Sequence, residues 1–249
     1  MLLSAAGMFA QQPAKPVPTP TTTPQTPPPV ITTPITPSAV PVLPAPQPPP
    51  MELRYAVVLD AAHGGTDLGA QLSASLDEKA YVLALTRQLH ALLNARSIPV
   101  ILTRDADVPI SGDQRAQSMN HAHAAACLSV HATTVGNGVH LFTSSLPPSA
   151  ASGGQRSFVP WKTAQAGYIT QSLRLESELN TALSQAQIPV LMGRTTLMPL
   201  ESATCPAVAI EIAPLNANTP VTDQKYQQQI IDALAAALTQ WRTDWRMQP

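Results

Sequence analysis

Residues 56–65 have the sequence AVVLDAAHGG, in which a short apolar run is followed by an acid, a histidine and two glycines. The apolar run predicts a buried strand, and the paired glycines predict a tight turn where the backbone passes close to another group. His63 therefore stands at the carboxyl end of a predicted strand, where open α/β sheets form their ligand crevices. Taken alone, one histidine at such a turn is better explained as a core residue than as a ligand.

Apolar strand patterns and amphipathic helix patterns alternate along the chain after this motif. The alternation predicts a single α/β domain over residues 53–249, with a mostly parallel twisted sheet and helices on both faces. The Ser-, Gly- and Pro-rich residues 144–159 predict a loop that borders the ligand cleft, either as a substrate-contacting loop or as a tolerated insertion. We expect strands at Tyr55–Asp60, Ile98–Thr103, Ala126–His131, Gly138–Phe142, Ile188–Met192 and Ala207–Ile212. We expect helices at Asp77–Ala95, Gln114–Ala124, Trp161–Gln185 and Val221–Arg246.

The composition of the first fifty residues differs from that of the rest. Of the 27 prolines, 16 lie between Gln11 and Pro50, where Lys15 is the only charged residue. Such a segment cannot bury enough apolar surface to fold, so residues 11–52 are predicted to be a disordered proline-rich linker. Residues 1–10, small and apolar, are interpreted as the remnant of a signal peptide, with an ordinary disordered N terminus as the alternative. We expect an exported protein of the periplasm or cell envelope, without a transmembrane helix.

Charge and cysteine content narrow the classes of protein further. The net charge is −1 and 12% of the residues are charged. The sequence has no basic patch of the kind that would indicate a nucleic-acid partner. Cys127 lies in an apolar run and Cys205 precedes another. We expect two separate buried thiols, with a disulfide in an oxidising compartment as the alternative. Their spacing does not indicate a zinc knuckle.

Three further residues have ionisable side chains at positions where a structural core would not require them. Glu78 falls on the apolar face of the predicted helix, where a glutamate must be paired, hydrogen-bonded or bound to a metal; the alternative is a first-turn acid that complements the helix dipole. His131 closes a second predicted strand, and two strand-end histidines with one inward glutamate supply the ligand types of a catalytic zinc site. Glu211 interrupts an apolar strand, where it could act as a general base beside a zinc-bound water.

Several short motifs accompany these residues in a fixed order from about Tyr55 to the C terminus. They are DAAHGGTDLGA at 60–70, Glu78-Lys79, Leu102-Thr103-Arg104, Arg115 with Asn120, SVHA at 129–132, IEI at 210–212 and Leu215-Asn216. In this order they resemble the motifs of the zinc-dependent N-acetylmuramoyl-L-alanine amidases, the bacterial cell-wall amidases of the Amidase_3 family. Any one motif would be a weak signal, whereas the ordered set is a strong one.

The resemblance implies that His63, Glu78 and His131 hold one Zn²⁺ per chain and that Glu211 is the catalytic glutamate. It implies hydrolysis of the amide between N-acetylmuramic acid and L-alanine in peptidoglycan, for cell-wall remodelling or cell separation. In such a site zinc lowers the pKa of its bound water to roughly 7, and Glu211 would carry the proton to the leaving amine. We expect a monomer that acts on peptidoglycan, and the need for an activator protein stays open.

The chain departs from the family pattern at three places. Ala62 stands where the family has glycine, Thr133 where it has asparagine, and Ala213-Pro214 where it has Gly-Phe. If position 62 needs a left-handed backbone, an alanine there is strained. The alternative functions are therefore a weakly active or inactive homologue that binds peptidoglycan, and a zinc enzyme that cleaves another amide.

Other polar residues could take part in the same site. Asp60 and Asp67 could orient a zinc-binding histidine, and Asp67 could equally be a turn residue. On a helix, His121 and His123 point to different faces, so we interpret both as surface residues. His140 is interpreted as a structural histidine.

Overall fold

The computed structural model describes residues 55–149, 160–196 and 198–246, so the predicted signal-peptide remnant (1–10) and linker (11–52) lie outside the described residues. The strands are β1 Val57–Ala61, β2 Gln71–Ser73, β3 Leu76–Asp77, β4 Val100–Leu102, β5 Ala126–Ala132, β6 Val139–Ser144, β7 Val190–Thr195 and β8 Ala207–Ile212. The α-helices are α1 Glu78–Ala95, α2 Gly112–His121, α3 Ile169–Gln185 and α4 Gln224–Arg246.

The described residues form one six-stranded sheet with the order β4-β1-β5-β8-β6-β7 and a small hairpin of β2 and β3. The pairs β4–β1, β1–β5, β5–β8 and β6–β7 are parallel, and the pair β8–β6 is antiparallel. The predicted mostly parallel α/β fold is confirmed.

Side chains of successive strand residues point to opposite sides of the sheet. Apolar side chains therefore lie on both faces, and helices cover both of them. On one face, Leu59 of β1 belongs to the core cluster that includes Leu89 of α1, Leu179 of α3 and Leu234 of α4. On the other face, Val58 belongs to a second cluster that includes residues of α2 and of the segment before β8. Among the described helices, none has the length and apolar character needed to cross a bilayer.

Strand β6 runs opposite to β8, which the sequence did not indicate. Val139 pairs with Ile212, the last residue of β8, and Phe142 pairs with Ala209. The chain therefore enters β6 at the carboxyl edge of the parallel strands and leaves it at the opposite edge. The prediction that the loop beginning at Ser144 borders the cleft is wrong for the part that can be followed, and residues 150–159 lie outside the described residues.

The prediction of one long helix over Trp161–Gln185 is also wrong. A 3-10 helix spans Trp161–Gly167, with Thr163 outside helical geometry, and α3 begins only at Ile169. The fully buried Gln165 side chain donates to the carbonyls of Ala203 and Cys205. These tertiary bonds fix the first segment against the chain before β8, which local helix propensity does not report.

Cys127 and Cys205 form a disulfide, so the prediction of two separate thiols is wrong. Both residues are fully buried. Cys127 is paired in register with Ala207 across β5 and β8, and Cys205 lies just two residues before Ala207. Neighbouring strands therefore bring together two cysteines that are 78 residues apart in sequence.

Glu176 on α3 is a buried carboxyl group that the site described below does not use. Its side chain is almost wholly buried, and its Oε1 atom has no hydrogen-bond partner among the described residues. Burial raises the pKa of Glu176 to about 7, and the charge of Arg194 opposes that rise only in part. The folded protein therefore favours the neutral form of this carboxyl.

We expect Glu176→Gln to raise the free energy of unfolding by about 1–3 kcal/mol at pH 8. The pKa of Glu176 is higher in the folded than in the unfolded chain, so the wild type loses stability as the pH rises from about 4.5 to about 7. The stability gain of Glu176→Gln should be much smaller at pH 5, where Glu176 is more fully protonated in both the folded and the unfolded wild-type chain. Urea unfolding of the full chain at both pH values measures it, with Glu178→Gln on the same helix as the matched control. An equal or lower stability of Glu176→Gln at pH 8 would contradict the expectation.

Candidate metal centre

The turn after β1 holds His63 in a left-handed conformation. His63 has a φ of 59°, followed by Gly64 at 133° and Gly65 at 60°, whereas Ala62 is not among the residues with positive φ. A Cβ atom on Gly64 would lie 2.4 Å from the carbonyl oxygen of Val108, so this position requires glycine. Ala62 packs in the core without backbone strain, which removes the strain that could have shifted His63.

Two buried arginines fix the backbone of this turn. Arg104 donates to the carbonyl oxygens of Ala61 and Ala62 at 2.9 and 2.8 Å. Arg115 donates to the carbonyl oxygens of Ala61 and His63, both at 2.6 Å. Guanidinium groups hold several donors in one rigid plane, so the two arginines hold the carbonyls of three successive residues in place. The backbone position of His63 is thereby fixed.

Asp60 supports one of these arginines and does not contact a histidine. It is almost fully buried, and its carboxylate accepts hydrogen bonds from Arg115, Thr103 and Ser129 at 2.6, 2.6 and 2.8 Å. The interpretation of Asp60 as a partner of a zinc histidine is therefore wrong, since its acceptors are occupied by other donors.

Asp67 does contact a histidine. Its Oδ2 atom lies 2.9 Å from Nδ1 of His63, and its Oδ1 atom accepts the N–H of Gly69 at 3.2 Å. The hydrogen bond with His63 is the main reason that the pKa of Asp67 lies below its ordinary value. This contact fixes the tautomer in which Nε2 of His63 is free to act as a ligand atom.

Glu78 is the first residue of α1, and its side chain turns inward as the sequence predicts. It is 4% exposed. Its Oε2 atom accepts the N–H of Ala70 at 2.8 Å, and its Oε1 atom accepts the N–H of Ala132 at 3.0 Å. Burial raises the pKa of Glu78, but the hydrogen bonds from His131 and these two N–H groups outweigh it and lower the pKa to about 2. The carboxylate is therefore anionic at neutral pH.

The structure brings His63, Glu78 and His131 together at the carboxyl edge of the parallel strands. Nε2 of His63 lies 3.1 Å from Oε2 of Glu78, and Nδ1 of His131 lies 3.1 Å from Oε1. One ligand atom from each residue can be chosen so that all lie within 4.8 Å of one another. Two imidazole nitrogens and a carboxylate oxygen at such spacing fit a zinc ion that keeps an open fourth position.

Glu211 lies beside this group on the neighbouring strand. It is paired in register with His131 across β5 and β8 and with His140 across β8 and β6. Its Oε2 atom lies 2.7 Å from Nδ1 of His140. His140 is therefore a buried partner of Glu211, a contact that sequence reasoning missed because it depends on the antiparallel pairing of β6.

Lys79 and Asp107 form a second contact that sequence reasoning missed. Nζ of Lys79 donates to the carbonyl oxygen of Gly65 at 2.7 Å and to Asp107 at 2.8 Å, and Asp107 accepts the N–H of Gly65 at 2.8 Å. The ion pair ties the glycine turn to α1 and to the loop after β4. The position of Lys79 directly after Glu78 was the available signal.

His121 and His123 do not belong to the candidate metal centre. Both are exposed at the end of α2, as expected for surface residues. The group of residues able to hold a metal that is found among the described residues contains neither of them.

These features define an α/β protein with a candidate catalytic metal centre at the carboxyl edge of its sheet. The chain belongs to the N-acetylmuramoyl-L-alanine amidase family Amidase_3, which its sequence matches over residues 57–240. It is similar to the endolysin of Bacillus phage SPP1, with 37% identity over 103 residues, or 40% of this chain and 38% of the endolysin. The alignment thus spans less than half of that relative.

Three solved structures of bacterial amidases have a similar fold. The catalytic domain of CwlV, the amidase of Bacillus (Paenibacillus) polymyxa var. colistinus, gives a TM-score of 0.57 at 21% identity, covering 76% of this chain and 98% of that catalytic domain. The amidase of Clostridium difficile 630 gives 0.60 at 22% identity, with coverage of 77% and 98%. CwlD of Clostridioides difficile, solved in complex with the GerS lipoprotein, gives 0.58 at 21%, with coverage of 76% and 99%. At these identities the likeness establishes the fold.

Proposed function

We propose that this protein hydrolyses the amide bond between N-acetylmuramic acid and L-alanine of peptidoglycan. The observation that carries the proposal is the convergence of His63, Glu78 and His131 next to Glu211, in a chain of the amidase family. In the reaction the oxygen of water bonds to the lactyl carbonyl carbon and the carbon–nitrogen bond breaks. The products are a carboxylate on the lactyl group and a free amino group on L-alanine.

We propose that His63, Glu78 and His131 hold one Zn²⁺ per chain. The donor set supports zinc because imidazole nitrogen suits it, whereas calcium and magnesium prefer oxygen ligands alone. When bound, zinc supplies a Lewis acid that polarises the scissile carbonyl and makes a coordinated water acidic near neutral pH. The anionic state of Glu78 and the fixed tautomer of His63 are both suited to ligation.

Glu211 is proposed as the general base and acid. Its side chain is 36% exposed, so its carboxylate can reach a solvent-side water. It would accept a proton from the attacking water and donate it to the nitrogen of the leaving amine. Asp67 would hold the His63 ring, and the carbonyl contacts of Arg104 and Arg115 would hold its backbone.

The proposal extends to the setting in which the protein acts. A disulfide such as Cys127–Cys205 is typical of an oxidising compartment, and peptidoglycan lies in the cell envelope. We therefore propose an exported protein of the periplasm or cell envelope that acts as a monomer. Residues 53–249 would form the catalytic domain, and the proline-rich sequence of residues 11–52 would tether it. The complex of CwlD with GerS motivates a search for an accessory protein that activates this chain.

Digestion of purified sacculi by the full chain tests the proposed function. We expect soluble stem peptides with a free L-alanine amino terminus, identified by mass spectrometry, together with one zinc per chain. A chelator should abolish release, and added zinc should restore it. Binding to sacculi without a new amino terminus would contradict hydrolysis and favour a binding homologue. Cleavage at another amide would identify a different substrate, and cleavage by the metal-free protein would exclude the zinc centre.

A further inference from the structure

We propose that His140 is a positioning residue that holds the Glu211 carboxylate in the orientation needed for proton transfer. The proposal deepens the function given above and rests on it. It assigns a role to a buried histidine that lies outside the candidate metal ligands and contacts none of them through a described hydrogen bond.

The contact between the two side chains is direct and follows from the sheet register. His140 and Glu211 are partners across the antiparallel β6–β8 pair, where opposed side chains on one face lie close together. Nδ1–H of His140 donates to Oε2 of Glu211 at 2.7 Å. The His140 side chain is 11% exposed and that of Glu211 is 36% exposed, so the pair has a buried anchor and a partly exposed carboxylate.

Only one of the two carboxylate oxygens is held in this way. No described residue donates a hydrogen bond to Oε1 of Glu211, whereas Oε2 is bound to the imidazole. A proton acceptor has to meet the attacking water with one oxygen in a defined place. Anchoring Oε2 restricts rotation of the long glutamate side chain and leaves Oε1 available for the water.

The ring of His140 is itself held by the backbone of Gly136. A Cβ atom on Gly136 would lie 2.5 Å from Cε1 and 2.8 Å from Nε2 of His140, and Gly136 has a φ of 94°. The edge of the Phe142 ring adds a contact, with ring centroids 6.4 Å apart. The loop between β5 and β6 thus closes against the Cε1–Nε2 edge of the ring, and any side chain at position 136 would displace the ring.

A comparison of two substitutions tests the role of the hydrogen bond. His140→Leu removes the donor, whereas His140→Asn keeps an amide N–H near the position of Nδ1. We expect His140→Leu to lower kcat about 10- to 100-fold with KM and zinc content nearly unchanged, and His140→Asn to recover most of kcat. His121→Leu, at the exposed end of α2, is the matched control and should keep wild-type kcat. A wild-type kcat for His140→Leu, or equal losses in both variants, would overturn the proposal.

If His140→Leu does not fold, the Gly136→Ala variant and an NMR measurement still test the proposal. Gly136→Ala keeps both side chains but should push the ring from Glu211 and lower kcat with KM unchanged; an unchanged kcat would count against the proposal. In NMR spectra, the ring N–H of His140 should resonate downfield and shift upfield in Glu211→Ala, with or without turnover. Absence of that signal would overturn the contact. A wild-type chain that shows the signal but releases no peptide would refute the proposed function and leave the contact standing.

Discussion

Replacing Glu211 with glutamine is expected to lower kcat on peptidoglycan fragments by about 100- to 10 000-fold while one zinc per chain is retained. Glutamine has the shape of glutamate, and its amide oxygen can still accept the hydrogen bond from His140, but it cannot take a proton from water. Glu211 also lies outside the candidate ligand group, so metal content should not change. Steady-state kinetics and metal analysis of the same sample measure both quantities.

The control for Glu211→Gln is Glu178→Gln, which makes the same chemical change on α3. Glu178 is partly exposed and lies outside the candidate ligand group, so the variant should leave kcat within about twofold of the wild type. An active Glu211→Gln protein would exclude Glu211 as the base. Loss of zinc in that variant would instead assign Glu211 to the metal centre.

The second large effect is expected from Glu78→Gln, which should weaken zinc binding by more than about 100-fold and remove activity with it. The anionic Glu78 accepts two backbone N–H groups and faces both histidines. Glutamine removes the charge that favours a divalent cation but keeps an acceptor, so fewer buried N–H groups lose their partner than with alanine. Zinc titration against a competing chelator measures the change without relying on turnover.

Asp67→Asn provides a graded comparison for Glu78→Gln. Asp67 acts through the His63 ring, and loss of such a partner typically weakens metal affinity by about 10- to 100-fold. We therefore expect an intermediate affinity for Asp67→Asn, with the oligomeric state and the melting temperature of the metal-free protein unchanged. Wild-type zinc affinity in Glu78→Gln would contradict the assigned ligand set, whatever the result for Asp67.

The parts of the site that could be predicted from the sequence are those set by local pattern. His63 and His131 end apolar strands, and strands that run parallel place such residues at one edge. Helical periodicity places Glu78 on the otherwise apolar face of its helix, so this residue could be recognised from the sequence. For the same reason the strand containing Glu211 could be recognised, because one acid stands in an otherwise apolar run.

The parts that could not be predicted depend on pairings between distant segments. The direction of β6 is decided by its contact with β8, about seventy residues later, and no local pattern encodes it. The contact of His140 with Glu211 and the Cys127–Cys205 bond follow from strand neighbours in the same way. The role of Asp60 could not be predicted because its partner Arg115 comes from α2. Proximity in sequence to His63 does not decide which donor a buried carboxylate meets.

The reversed direction of β6 also provides a labelling position at the sheet edge opposite the candidate metal centre. The chain leaves β6 at Ser144, on the edge opposite the candidate centre, and residues 147–149 are exposed there. A fluorescent reporter or an affinity handle inserted at these positions would project away from the candidate metal centre. Sacculus binding and cleavage could then be followed on one labelled molecule, with the edge that holds the candidate metal centre left unobstructed.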